Sequence, residues 1–256
     1  MAKFRTSFMS KTLSRVVDFS VVIPIEYTAE EDAGKKFKTT VLLPGFHGSH
    51  NDWLEYGRIR KISEVYHLAM IIVNGENSFY IDSPAYPYGR FVRETIEFSR
   101  SVFPLSDRRE DSFIGGVSMG GFGALRLGAL YHDMFSKVFS LSGAFILDDL
   151  KGSKVGYRDR ITDYETYHRI FGDFDHIKGT VKDPLWCVDQ AVLAGEAPAV
   201  YQVCGDKDFL IEQNRTMARE LAKRPILHEY HEPHGAVHSW GEWLKMLDDV
   251  MQWLCE

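Results

Sequence analysis

The sequence predicts an α/β protein, a mostly parallel sheet of about eight strands with helices on both faces. Three observations carry this expectation. Short apolar runs without polar alternation recur at 39–43, 69–73, 137–141 and 199–204, as in strands buried on both sides. Stretches with helical spacing lie between them; Phe91, Thr95, Phe98 and Val102 mark one such face. Residues 111–125 run from an apolar strand through a glycine-crowded turn into a helix.

Residues 4–9 and 13–25 alternate apolar and polar side chains, which predicts two antiparallel strands ahead of the parallel set. The polar stretch 30–38, carrying Gly34, reads as a turn, and Pro44-Gly45 stops the first apolar strand. Residues 51–67 read as a polar loop running into one amphipathic helix. Residues 74–88, with two prolines and three tyrosines, read as an irregular aromatic loop. After the glycine-rich turn a helix is expected to about Leu130. Residues 142–188 are polar and aromatic, with short helical pieces such as 164–170. They are expected to form a cap-like insertion after the sixth strand, over the active site, within a single domain spanning 1–256. A helix over 211–223 and a strand over 226–230 follow. The chain closes on a helix with Trp240, Trp243, Leu244, Leu247, Val250, Met251 and Leu254 on one face.

The net charge is −6 with no basic block, so neither nucleic acid nor an anionic membrane is expected as a partner. The three cysteines, Cys187, Cys204 and Cys255, have no C-x-x-C spacing, which argues against a disulfide scaffold and a thiolate metal site. Residues 1–20 lack the apolar centre of a secretion signal, and no run reaches membrane-spanning length; a cytoplasmic protein is expected.

In a parallel sheet, chemistry gathers at the carboxyl ends of the strands. Gly116-Val117-Ser118-Met119-Gly120 stands at one such end and fits G-x-S-x-G, the sharp turn that exposes a nucleophilic serine. Its glycines admit the close approach of strand and helix. After the first parallel strand comes Pro44-Gly45-Phe46-His47-Gly48, where the backbone N–H of Phe46, with that of Met119, is placed to hold an oxyanion. After the strand 199–204 comes Gly205-Asp206-Lys207-Asp208. Asp208, further into the loop, is preferred as the acid of a triad over Asp206, which suits a turn or helix cap; Asp148 and Asp149 are lesser options. After the last strand, His238 is the natural base at the start of the closing helix. His234 is the alternative, and His231 and His228 lie in or next to the strand. Pro233 and Gly235 forbid the helix that would set His234 and His238 on one metal-binding face, so no metal is expected. The order Ser118, Asp208, His238 is that of the α/β-hydrolase fold. Trp53 is picked as a residue near the substrate.

With these motifs the chain resembles the bacterial tributyrin esterases (EstA type) of the broader esterase D / S-formylglutathione hydrolase group. The resemblance runs over residues 42–54, 103–124, 205–210 and 237–253, and essentially end to end. It implies an α/β-hydrolase that cleaves short-chain acyl esters through an acyl-enzyme intermediate, without a cofactor, and frequently as a homo-oligomer. It places the nucleophile on Ser118, the acid on Asp208 and the base on His238. Two positions depart from the pattern. Pro44-Gly45 replaces the usual His-Gly ahead of the oxyanion residue. Gly48 stands where S-formylglutathione hydrolases carry a cysteine, which weakens the glutathione-thioester expectation. Acetyl-xylan or feruloyl esterase activity remains an alternative within the same chemistry; an acyltransferase or a non-catalytic binding scaffold is the alternative from another class.

Overall fold

A computed structural model describes residues 1–25, 34–83 and 86–256. Strands β1 (Ala2–Ser10) and β2 (Arg15–Ile23) form an antiparallel hairpin. Next come β3 (Thr39–Leu43), the helices α1 (His50–Tyr56) and α2 (Ile59–Tyr66), and β4 (Ala69–Val73). Helix α3 (Tyr88–Val102) leads to β5 (Ser112–Val117), α4 (Met119–Leu130) and β6 (Lys137–Leu141). The segment after β6 carries α5 (Leu147–Leu150), α6 (Tyr164–Phe171) and α7 (Pro184–Leu193). The chain ends with β7 (Ala199–Val203), α8 (Ile211–Leu221), β8 (His228–His231) and α9 (Trp240–Cys255).

The eight strands form one sheet in the order β1-β2-β4-β3-β5-β6-β7-β8. The β1–β2 and β2–β4 pairs are antiparallel, and every pair from β4 to β8 is parallel. Alternation within the strands divides the core. Val41, Leu43, Ala69, Ile71 and Val138 face α3, α4, α7 and α8. Leu42, Met70, Ile72, Phe139 and Leu141 face α1, α2 and α9. Strands covered on both faces have no solvent-facing side, which is why they read as mostly apolar runs without alternation.

Several element bounds differ from the sequence expectations. The single helix expected within 51–67 is two, because Gly57 closes α1 with its N–H on the Trp53 carbonyl (2.9 Å) and Arg58 then turns the chain through φ 50°. The 142–188 boundary cuts through α7. That helix is capped by the Asp183 carboxylate on the Leu185 N–H and begins at Pro184. It buries Cys187, Val188 and Ala191 in the sheet's main core, so its place is among the covering helices. His238 precedes α9, which starts at Trp240. The turn expected over 30–38 lies partly outside the described residues.

All three cysteines are free. Burial pushes the Cys187 thiol up to about 12 and raises Cys204 as well, so neither is a ready thiolate. Among the described residues no helix is long and apolar enough to cross a membrane.

Candidate active site

Ser118 caps β5 and opens α4 in a backbone conformation (φ 56°, ψ −117°) that L-residues rarely adopt. Tight packing holds it there. Its N–H donates to the Leu141 carbonyl (2.8 Å), and its own carbonyl accepts from Gly121 (2.9 Å), Phe122 (3.1 Å) and Ala144 (3.0 Å). A Cβ on Gly116 would lie 2.5 Å from the Gly120 carbonyl carbon, and one on Gly120 would overlap the Leu43 carbonyl oxygen. Glycine is therefore required on both sides of the serine by the approach of α4 to β5 and β3. Only 6% of Ser118 is exposed.

The loop after β3 arches over this turn. A Cβ added at Gly45 would lie 3.4 Å from Ser118 Cβ. The aromatic loop before α3 fixes the arch from outside: the Tyr80 hydroxyl donates to the Pro44 carbonyl (2.9 Å), and the Asn77 side-chain oxygen accepts the His47 N–H (2.6 Å). Among the described residues, neither the Phe46 N–H nor the Met119 N–H donates to any group. Met119 N–H belongs to the first turn of α4, where helix amides have no internal acceptor and the helix dipole favours negative charge.

β5, β7 and β8 run parallel, so the loops after them open at the same edge of the sheet. There His238 Nδ1 lies 2.8 Å from Asp208 Oδ2 and 3.0 Å from Oδ1. The Asp208 side chain has no exposed surface, and its Oδ1 also accepts the Leu210 N–H (2.9 Å). The imidazole packs against Phe209 (ring centroids 4.5 Å apart) and edge-on to Trp243 (4.9 Å). The Trp243 indole N–H donates to Ser142 Oγ (2.9 Å), in the residue after the carbonyl that anchors Ser118. No hydrogen bond joins Ser118 Oγ to His238 among the described residues. Such contacts commonly close only around a bound substrate.

A family profile described as "Putative esterase" matches residues 10–254. An acetyl esterase of Caldicellulosiruptor saccharolyticus is 36% identical over 99% of this chain and 98% of its own. The chain belongs to this esterase family. Among solved structures, S-formylglutathione hydrolase FrmB of Staphylococcus aureus superposes with a TM-score of 0.85 at 25% identity, covering 100% of this chain and 99% of its own. The fluorophosphonate-binding serine hydrolase FphF of the same organism gives 0.87 at 24% identity, over 100% and 98% of the two chains. The esterase is thus an α/β-hydrolase of the esterase D / S-formylglutathione hydrolase-like superfamily, and its activity is serine-type ester hydrolysis.

In this esterase the competing acids and bases sort into two separate pairs. Asp206 Oδ2 meets His234 Nδ1 (2.7 Å), and Oδ1 accepts the Gly235 N–H (2.7 Å). Partial burial pushes the Asp206 carboxyl up, but Gly235 and His234 outweigh it and hold it below its ordinary range. His234 is 93% exposed, so this pair laces the two loops together at the surface, away from the turn of Ser118. His228 instead reaches Gln202 Oε1 (3.2 Å), and His231 stacks on Tyr201. Asp148 pairs with Lys178 (2.5 Å) and Asp149 with Gln213 (2.6 Å). No group of metal-ligating side chains occurs among the described residues.

Trp53 is a correction. It has no exposed surface and packs edge-on to Trp240 (5.0 Å) under α9. The helical spacing of α1 turns it into the core, where it is packed among apolar side chains. Phe79 and Tyr80 of the aromatic loop are likewise buried in the core. A cavity of about 490 Å³ does border the site, between Phe46 and His47 on one side and Thr162, Thr166 and Ile170 on the other. A second, of about 550 Å³, lies beyond Phe209, lined by Ile161, Arg160 and Gln213. The residues between β6 and α7 therefore line both cavities. Sequence reading missed Ser142, Trp243 and Tyr80 as supports. Nothing in their local pattern distinguishes them from ordinary core or loop residues.

Proposed function

We propose that this esterase is a serine carboxylesterase for short-chain acyl esters, of the tributyrin or acetyl-ester type, with Ser118 as nucleophile, His238 as base and Asp208 as acid. Ser118 Oγ attacks the ester carbonyl while His238 Nε2 takes its proton. Asp208 stabilises the imidazolium through Nδ1–H. The Phe46 and Met119 amides receive the oxyanion. The C–O bond then breaks, and His238 returns the proton to the departing alcohol. A water, deprotonated by His238, releases the acid from the acyl-enzyme and restores Ser118. The observation that carries this reading is the Asp208–His238 pair at the sheet edge where the strained Ser118 turn opens.

The segment 142–183 acts in this proposal as a cap over the site, since its residues line both flanking cavities. Three free cysteines suit a reducing, cytoplasmic setting. Likeness to a protein named acetyl esterase supports a short acyl group as the substrate here, and Gly48 leaves the arch without a thiol. Hydrolysis of p-nitrophenyl acetate, tributyrin, acetylated xylan, methyl ferulate and S-formylglutathione ranks the substrates. Tributyrin and the acetate are expected to lead; a preference for S-formylglutathione by an order of magnitude would replace this reading with the thioesterase one.

A further inference from the structure

We propose that Asn214 is a positioning residue for the hydrolytic site, an inference that rests on the roles given above to Ser118, Asp208 and His238. Asn214 lies in α8 with no exposed surface. Its Nδ2 donates to two carbonyls, those of Gly143 and Leu210, each at 2.9 Å. These carbonyls belong to different loops, one after β6 and one after β7. Each is next to a group that holds a member of the triad. On either side of Gly143, the Ala144 N–H donates to the Ser118 carbonyl (3.0 Å), and Ser142 Oγ accepts from Trp243, the ring that packs on His238. The Leu210 N–H donates to Asp208 Oδ1 (2.9 Å). One buried amide therefore sets the spacing between the segment that clamps the Ser118 turn and the segment that clamps Asp208.

The amide is held in turn. Its Oδ1 accepts from Gln202 Nε2 (3.1 Å), and Gln202 Oε1 faces His228 Nε2 (3.2 Å). The two carbonyls themselves fix the direction of Nδ2, and Gln202 supplies the partner of the amide oxygen. Asparagine is a weak helix former, and a buried amide is costly unless its polar atoms are paired. Here each is paired, in surroundings where such bonds are strong. An ångström of drift between nucleophile and base is enough to cost about two orders of magnitude in rate.

The test compares Asn214→Leu and Asn214→Asp with Gln202→Leu in p-nitrophenyl acetate hydrolysis, on variants that keep the wild-type circular dichroism. Both Asn214 variants lose the two donors, whereas Gln202→Leu disturbs the same buried cluster and leaves the two carbonyls held. The expected result is kcat lowered about 10- to 100-fold in the Asn214 variants with KM within about twofold, and within about threefold of wild type in Gln202→Leu. In a Ser118→Ala background, Asn214→Leu lowers the residual rate no more than about twofold further, because the nucleophile whose alignment it supports is gone. Equal losses in all three variants, or the full loss on top of Ser118→Ala, overturns the proposal. So does failure of both Asn214 variants to fold, which makes the amide a requirement of the fold. An inactive wild type, or a Ser118→Ala variant as active as wild type, overturns the catalytic reading instead.

Discussion

The Asp208 carboxylate, shut off from solvent, holds the Nδ1 edge of His238 at 2.8 Å and 3.0 Å from its two oxygens. A carboxylate in that position selects the imidazole tautomer that leaves Nε2 able to accept a proton. Two residues away, Asp206 makes an equally short bond to His234, but at the exposed rim. Spacing along the chain does not separate these pairs; burial does.

Asp208→Asn is expected to lower kcat for p-nitrophenyl butyrate by about 10⁴-fold, because the amide stabilises the wrong tautomer. Asp206→Asn is expected to stay within about fivefold of wild type, since an exposed pair contributes little. Steady-state kinetics on the two purified variants decides it. A reversed order would transfer the acid role to Asp206.

Gly120→Ala tests the packing that strains the Ser118 turn. The added methyl overlaps the Leu43 carbonyl oxygen and comes within 2.8 Å of that of Pro44, both backbone atoms that cannot swing aside. Overpacking of this kind costs about 1–3 kcal/mol. For a chain of this size that lowers Tm by about 3–10 °C, with kcat falling as the turn shifts. A Tm unchanged in differential scanning calorimetry would show that α4 is free to move off β3.

Much of this architecture is legible in the sequence because strands β3, β4, β5 and β6 are buried on both faces and so are mostly apolar, without the polar alternation of a half-exposed strand. The Ser118 turn is legible for a steric reason: only glycine fits at 116 and 120. That the loops carrying Asp208 and His238 meet follows from strand order once the sheet is parallel. Other features depend on contacts distant in sequence. The break between α1 and α2 comes from Gly57 closing onto Trp53. Trp53 looks like a loop aromatic near the site until α1 turns it under Trp240. Asn214 sits mid-helix among polar residues, and only the fold reveals that it faces inward. Asp183-Pro184, by contrast, is a helix-start signal that is readable and marks α7 directly.

His228 gives a pH dependence of stability. Burial lowers its pKa below the ordinary 6.5, with Glu229 only partly offsetting this. The unfolded chain therefore binds a proton at this residue more readily than the folded one. Its contribution to stability is present above about pH 6.5 and is lost as pH falls from there through the lowered folded value. Urea denaturation between pH 7.5 and 5 is expected to show stability falling more steeply for wild type than for His228→Gln. Parallel curves would mean that His228 protonates without cost in the folded protein.

Arg126 is wholly buried in α4. Its Nε donates to the Val181 carbonyl (2.6 Å) and a terminal nitrogen to that of Tyr80 (2.9 Å), tying the segment before α7 to the loop that braces the Pro44 arch. Burial lowers its pKa. Arg126→Met is expected to cost about 2 kcal/mol in urea denaturation, the effect of stranding two buried carbonyls offset by relief of a buried charge. Arg126→Lys is expected to be at least as damaging, because an ammonium cannot span both acceptors. Rescue by lysine would mean that charge, and not the two-point geometry, is what the site requires.

The most direct measurement is the rate of p-nitrophenyl acetate hydrolysis by Ser118→Ala beside wild type. With Ser118 as the nucleophile, the substitution lowers kcat by at least about 10⁴-fold, and peptide mass mapping of the wild type trapped with a slowly deacylating ester finds one acyl group, on the Ser118 peptide. A Ser118→Ala protein that keeps the wild-type rate, or acyl mass on any other residue, would contradict the account.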